Sequence, residues 1–160
     1  MRKSRIPELT AEIREEIGML DSLVEAVTSV TMPEDPDSRI IYRESLALKI
    51  HNFYTGCERI FCKIASELDG GVPRSHDWHR RLLLSMSLEL EDVRPAVISK
   101  STAREFNDYL SFRHVIRNIY GFEIEERKLL PLISRLPVVW KQAKTDFHRF
   151  LDMVVQIGKS

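Results

Sequence analysis

The sequence predicts an all-α fold, an antiparallel helical bundle of five to six helices in one domain covering residues 1–160. Nearly every long segment repeats its apolar residues at spacings of three and four, the period of an amphipathic helix. No run alternates apolar and polar residues as a half-buried strand does. Short connections containing proline, glycine or acidic residues separate the segments, so consecutive helices are expected to pack antiparallel.

The first helix is predicted to begin near Pro7, because proline suits the first turn, and to fade near Val30. A connection rich in proline and acidic residues, 32–38, follows it. The apolar stripe of this helix is Ile13, Ile17, Leu20, Val24 and Val27.

A long second helix is expected to run to about Leu68, with Asp37 or Ser38 as its cap. The segment 69–71, Asp-Gly-Gly, terminates it, and Pro73 prevents a restart. At about 1.5 Å per residue this helix is roughly 45 Å long, enough to span a small bundle. Its predicted apolar stripe is Ile41, Leu46, Leu48, Ile50, Phe53, Ile60, Phe61 and Ile64.

Ser75 is expected to cap a short third helix, and the segment after that helix contains Pro95 and is expected to be irregular. The third helix should face inward through Trp78, Leu82, Leu83 and Met86. Ser101 or Thr102 then caps a fourth helix, where Thr102 and Glu105 form a capping-box pattern.

The fourth helix should continue to about Tyr120 and stop at Gly121. A short helical piece, residues 125–136, is expected to be weakened by Pro131, and Pro137 is expected to open a separate final helix. That last helix presents Val139, Phe147, Phe150, Leu151, Val154 and Val155.

The composition excludes any large electrostatic field over the molecule. The 24 basic and 24 acidic residues cancel, so an anion must be bound by a local patch. No apolar run approaches the length of a membrane span, and the N-terminus lacks the apolar region of a secretory signal. We therefore expect a cytoplasmic protein that does not contact membranes.

Cys57 and Cys62 are the only cysteines, and their five-residue offset places them about 140° apart on a helix. That arrangement suits neither a disulfide within the helix nor a metal pair. We expect both to be small apolar side chains in a reducing compartment.

A polar cluster at residues 113–120 is the strongest candidate for a functional site. With Arg113 set at zero on the predicted helix, Arg117 lies at about 40°, His114 at about 100°, Asn118 at about 140° and Tyr120 at about −20°. No carboxylate within this cluster neutralises the arginines. The opposite, apolar arc is expected to hold Phe112, Val115, Ile116, Ile119 and Phe122.

The cluster suits phosphate chemistry without a metal or cofactor. Forked guanidinium donors match a phosphate, and the chain has no glycine-rich phosphate loop, nucleophile elbow or His–Glu metal helix. Metal-independent RNA cleavage requires a base for the 2′-hydroxyl, a cation for the charged transition state and an acid for the leaving oxygen. Arginine fills the second role and histidine normally fills one of the others.

The sequence resembles the HepT-like branch of the HEPN superfamily, whose signature is arginine, four residues, histidine, one residue and tyrosine. In this chain the arginine is Arg113 and the tyrosine is Tyr120, but Asn118 occupies the histidine position. The resemblance covers about two-thirds of the chain. It extends over the segments HNFYTGCERIFCKIA, DGGVP, DWHRRLL and FRHVIRNIYGFEI.

The resemblance implies an all-helical ribonuclease toxin of a bacterial or archaeal toxin–antitoxin pair. Its signature places Arg113 and Asn118 at the catalytic positions. On the same polar arc, His114 could supply the imidazole from one turn earlier, and Arg113 and Arg117 would bind RNA phosphate. Asparagine does not titrate and cannot act as a general base near neutral pH. The position of Asn118 therefore leaves two functions open: a metal-independent endoribonuclease, or a non-catalytic module for dimerisation and for binding a partner or nucleotide.

Two partners are also implied by the resemblance. Family members form homodimers in which the motif helices line a shared basic cleft, and a cognate minimal nucleotidyltransferase antitoxin adenylylates the motif tyrosine, here Tyr120. A nucleotide attached beside Arg113 and Arg117 would occupy the anion site and exclude RNA.

Structural roles are the alternatives for these side chains. The arginines could pair with Glu58, which shares a helix face with His51 and Tyr54. His76 and His79 have a spacing that could hold a metal on a helix, but the sequence shows no third ligand beside them. We therefore predict no metal site.

Overall fold

The fold is all-α, as the sequence predicts. The computed structural model describes residues 5–159. Within them the five α-helices are α1 (Ile6–Thr28), α2 (Pro36–Leu68), α3 (Trp78–Met86), α4 (Lys100–Ile116) and α5 (Glu126–Lys159). One turn of 3-10 helix, Gly121–Glu123, lies between α4 and α5.

Helix α2 lies at the centre of the bundle and packs against the four other helices, while α5 also packs against α1 and α4. The ring of Phe53 on α2 makes edge-to-face contacts with Phe106 and Tyr109 of α4 and with Trp140 of α5, at centroid distances of 5.9, 5.3 and 6.0 Å. Such aromatic contacts are directional, so they fix the position of α4 relative to α2. This packing places the end of α4 beside the middle of α2.

Three helices begin at caps other than those the sequence predicts. Asp35, not Asp37 or Ser38, caps α2 and accepts a hydrogen bond from the Ser38 amide at 3.0 Å. Pro36 takes the first helical position, which leaves the preceding residue as the cap. Ser99 caps α4 and accepts from the Thr102 amide at 3.1 Å.

The expected capping roles of Ser101 and Thr102, and the Thr102–Glu105 box, are therefore wrong. Thr102 is fully buried inside the first turn, where its hydroxyl donates to Asp146 of α5 at 2.6 Å. Ser75 is likewise not the cap of α3, which begins after Asp77; the Ser75 carbonyl closes the preceding turn by accepting from the Trp78 amide.

The predicted apolar stripe of α2 is correct at six of its eight positions. Ile41 is 68% exposed and Leu48 is 59% exposed, so neither belongs to the core. The buried positions follow the face that meets the other helices, and both exceptions fall outside it.

Helix α5 is continuous through both of its prolines, so the expected weakening at Pro131 does not interrupt it, and the predicted separate helix that begins at Pro137 is wrong. Both prolines are exposed. The buried side of the helix continues past them through Leu129, Leu132 and Leu136. Packing of that side outweighs the missing amide donors, which lie on the solvent face.

The irregular segment between α3 and α4, predicted from Pro95, is held by the buried guanidinium of Arg94. Its Nε and Nη2 donate to the two carboxylate oxygens of Asp69 at 2.7 and 2.9 Å. Further donations reach the carbonyls of Leu88, Pro95 and Ser85. One side chain thus joins the segment to the C-terminal cap of α2.

Gly56 of α2 packs tightly against Leu20 of α1. A Cβ atom there would lie 2.7 Å from Leu20 Cδ2, and Leu20 is itself buried. We expect Gly56→Ala to lower the free energy of unfolding by about 1–3 kcal/mol, because the core must shift to admit the methyl group. Gly18→Ala is the matched control. Nothing lies within 4 Å of its Cβ position, so it should stabilise the helix by up to about 1 kcal/mol.

Urea unfolding of the two variants measures this difference. Equal stability of Gly56→Ala and Gly18→Ala would show that the α1–α2 contact is not tight.

Candidate active site

Four of the predicted site residues lie together at the end of α4. Arg113, His114, Arg117 and Asn118 line a cleft of about 380 Å³. Leu110, His76 and His79 complete its lining. The helix ends at Ile116 rather than near Tyr120, so Arg117 and Asn118 belong to the turn that follows it.

Glu58 of α2 forms the inner wall of this site. It is 5% exposed and holds two partners, Arg113 Nη1 at 3.2 Å from Oε1 and His79 Nδ1 at 2.7 Å from Oε2. The expected pairing of Glu58 with an arginine of the cluster is therefore present for Arg113. A buried carboxylate requires such partners, because leaving it unpaired is costly.

The proton positions around His79 follow from these distances. Arg113 Nη1 is also 3.4 Å from His79 Nδ1. If Nδ1 carries a proton for the carboxylate, both nitrogens are donors and cannot form a hydrogen bond with each other. The shorter, charge-assisted contact with Glu58 determines that Nδ1 carries the proton. The His79 ring also stacks on Trp78, at a centroid distance of 3.6 Å.

The two arginines differ in their freedom to bind an anion. Arg117 is exposed and forms no ion pair within residues 5–159. The Arg113 side chain is only 11% exposed, and its Nε is buried without a hydrogen-bond partner among the described residues. The exposed guanidinium of Arg117 beside that of Arg113 makes this cleft attractive to phosphate.

His51 and Tyr54 lie beneath the cleft on α2. Burial lowers the pKa of His51, and the guanidiniums of Arg113 and Arg117 lower it further, although a hydrogen bond to the neighbouring amide of Asn52 acts in the opposite direction. His51 is therefore largely neutral at pH 7. Burial, reinforced by Glu58, raises the pKa of Tyr54 well above its usual value, so this phenol keeps its proton.

Asn118 supports the end of α4. Its Nδ2 donates to the His114 carbonyl at 2.8 Å, which satisfies one of the acceptors left open at a helix C-terminus. One N–H of the side-chain amide is therefore engaged with the backbone, and the second N–H and the side-chain oxygen are left to meet a ligand.

Tyr120 does not line the cleft with the other predicted residues. Its side chain is 71% exposed and stacks on Phe122, with ring centroids 5.5 Å apart. This turn lies against α2, and a Cβ atom at Gly121 would be 2.9 Å from the side-chain carbon Cδ of Glu44. Phe122 and Val115 are exposed, so their predicted place in the core is wrong; the end of α4 at Ile116 turns the chain away from it.

A larger cleft of about 860 Å³ lies between the segment after α3 and the end of α5. Its lining contains the carboxylates of Glu89, Asp92 and Asp152, and its arginine, Arg94, is already paired with Asp69. Like charges repel a phosphate, so of these two clefts the smaller one is the better anion site.

The sequence did not single out His79 as a site residue. It was considered with His76 as a metal pair, yet residues 5–159 contain no group of three or more His, Cys, Asp or Glu side chains that could hold a metal ion. The sequence feature that could have pointed to His79 is the helix face shared by His51, Tyr54 and Glu58. A carboxylate buried on that face requires partners on the helices packed against it.

The comparison with protein families identifies the chain. The model described as HepT-like protein matches residues 45–154, a range that contains α2 from its tenth residue, all of α3 and α4, and most of α5. The chain belongs to the HepT-like family. The resemblance drawn from the sequence is thus confirmed, and the matched range includes every residue that lines the cleft. No curated protein and no solved structure matches the chain.

The HepT-like match and the helical bundle agree with each other. No helix within residues 5–159 is both long and apolar enough to cross a membrane. Cys57 and Cys62 are free thiols, and Cys57 is buried. Burial raises the pKa of both, which keeps them protonated and poorly reactive.

Proposed function

We propose that this HepT-like chain is the toxin component of a toxin–antitoxin pair and cleaves RNA without a metal ion. The observation that carries the proposal is the cleft where Arg113 and Arg117 meet His114 and His79. Two guanidiniums supply positive charge for a phosphate, and imidazoles supply groups that can transfer protons near pH 7. RNA as the substrate would place its action in the cytoplasm.

The chemistry expected of this cleft is transfer of a phosphate ester within the RNA chain. The ribose 2′-oxygen loses its proton and bonds to the phosphorus, while the bond from phosphorus to the 5′-oxygen breaks and that oxygen gains a proton. Arg113 and Arg117 stabilise the charge on the phosphate oxygens as it grows. His114 serves as acid or base, and the Asn118 side-chain oxygen can accept a hydrogen bond from a ribose hydroxyl.

A second function is favoured by the hydrogen bond between Asn118 and the His114 carbonyl. An amide committed to the helix end supplies no proton transfer where the family signature has histidine. A non-catalytic module, which dimerises and binds a partner or nucleotide through the same cleft, is consistent with that structural role.

Cleavage of single-stranded RNA and transfer RNA in the presence of EDTA separates the two functions. We expect the purified wild-type protein to cut RNA, and Asn118→His to cut it at least as fast, because the variant adds an imidazole at the signature position. Cleavage by Asn118→His alone would identify the natural protein as a binding module. Intact RNA with both proteins would contradict the nuclease proposal.

We also propose a homodimer and a minimal nucleotidyltransferase antitoxin that modifies Tyr120. The exposed phenol of Tyr120 supports modification, since an enzyme can reach it without unfolding the bundle. The exposed apolar side chains of Val115 and Phe122 support an interface near the cleft. The mass of the intact protein after incubation with such an enzyme and ATP, compared with that of Tyr120→Phe, tests the modification directly.

A further inference from the structure

His79 is the imidazole that the structure holds most firmly in the cleft. Its Nδ1 is 2.7 Å from the buried carboxylate of Glu58, and its ring stacks on Trp78. Both contacts restrict rotation of the ring. His114, by contrast, is exposed, and its side chain makes no hydrogen bond within residues 5–159. A group that transfers protons works best when it is already oriented.

The contact with Glu58 also determines what His79 can do. Because Nδ1 donates its proton to the carboxylate, a neutral His79 carries its lone pair on Nε2. Glu58 occupies Nδ1 and Trp78 covers one face of the ring, so Nε2 is the nitrogen left for a ligand in the cleft. A carboxylate that fixes the tautomer and orientation of an imidazole in this way prepares a general base.

Arg113 links this base to the phosphate site. Its Nη1 is 3.2 Å from the second oxygen of Glu58, so one carboxylate positions both the imidazole and a guanidinium. A phosphate held by Arg113 would therefore lie beside His79. The base is supplied by α3, 34 residues before Arg113 in the chain, and not by the motif helix.

We propose that His79 is the general base of RNA cleavage and that Glu58 is its positioning residue; this rests on the ribonuclease function proposed above. His79 Nε2 accepts the 2′-hydroxyl proton as the 2′-oxygen bonds to phosphorus. The 5′-oxygen leaves with a proton from an acid, for which His114 is placed. The products are a 2′,3′-cyclic phosphate and a free 5′-hydroxyl, and His79 then releases its proton to water.

The test compares two short RNA substrates that differ in one atom. In the second substrate, sulfur replaces the leaving 5′-oxygen at a single linkage, which removes the need for an acid because thiolate is a good leaving group. We expect His79→Gln to lower cleavage of both substrates about 100-fold, since the 2′-hydroxyl still requires a base. His114→Gln should cleave the oxygen substrate slowly and should recover its cleavage rate on the sulfur substrate.

His148→Gln is the matched control, because His148 is an exposed histidine of α5 that lies outside the cleft. It should cleave as the wild type does. Glutamine at position 79 retains a donor for Glu58, and thermal unfolding verifies that the variant is folded.

The outcomes distinguish the two proposals. If the wild type cuts RNA and His79→Gln cuts it equally fast, His79 is not catalytic while the ribonuclease function stands. If His79→Gln recovers its cleavage rate on the sulfur substrate, His79 is the acid, and its assignment as the general base is overturned. If the wild type cuts neither substrate, both proposals fall.

Glu58 is tested through the dependence of the rate on pH. In Glu58→Gln the amide can still accept the Nδ1 proton, but no negative charge favours a protonated ring, so the acidic limb of the profile should move to lower pH. A purely structural role would lower stability and leave the limb in place. The titratable and charged groups around this imidazole are His51, Tyr54, Glu58, His76, Arg113, His114 and Arg117.

Discussion

Replacing Arg113 with methionine is expected to lower RNA cleavage about 100- to 1,000-fold, the usual loss when one donor to a charged transition state is removed. Methionine fills much of the same volume in this mostly buried position but donates no hydrogen bond. Glu58 keeps its contact with His79 in the variant, so the buried carboxylate retains a partner and the bundle should still fold. Single-turnover cleavage of a defined oligonucleotide measures the effect.

Arg104→Met on the same helix is the matched control, because Arg104 is exposed and lies outside the cleft. It should leave cleavage unchanged. Arg113→Lys should recover only part of the activity, since an ammonium keeps the charge but loses the forked donors that match a phosphate. Cells expressing Arg113→Met that die as readily as those expressing the wild type would contradict a role for this arginine.

Replacing Arg94 with methionine is expected to lower the free energy of unfolding by about 3–5 kcal/mol, as breaking a buried ion pair does. The Arg94 side chain is fully buried and that of Asp69 is only 10% exposed, so the substitution leaves a carboxylate and several carbonyls without donors. Denaturant unfolding followed by circular dichroism measures the loss.

Arg135→Met provides the comparison for Arg94. Arg135 pairs with Glu105 and Asp108, but its side chain is 42% exposed, and exposed pairs contribute about 0–1 kcal/mol. A similar loss of stability in the two variants would show that burial does not set the strength of the Arg94–Asp69 pair.

The number and order of the helices were predictable because periodicity and glycine–proline connections are local signals. The ends of the helices were less predictable, because a capping residue depends on backbone angles that tertiary contacts select. Thr102 has the sequence features of a cap, yet its hydroxyl binds Asp146 in α5, 44 residues later. Proline inside α5 was overridden by the buried face running through Leu132 and Leu136.

The candidate site was predictable where it is contiguous in sequence. Arg113, His114, Arg117 and Asn118 occupy one turn and its continuation, and they do share a cleft. His79 could not be placed with them, because its position depends on how α3 docks beside α2 and α4. Tyr120 could not be excluded from the cleft either, because the prediction extended α4 beyond Ile116.

Because His79 and Arg113 share the carboxylate of Glu58, the order in which these residues can be substituted during evolution is constrained. Loss of either His79 or Arg113 alone leaves Glu58 with one partner. Loss of both leaves a buried charge unpaired, at about 3–5 kcal/mol, unless Glu58 changes first. A lineage that loses RNA cleavage by substituting one of these two residues is therefore constrained to keep the other. An inactive descendant would still carry either His79 or Arg113.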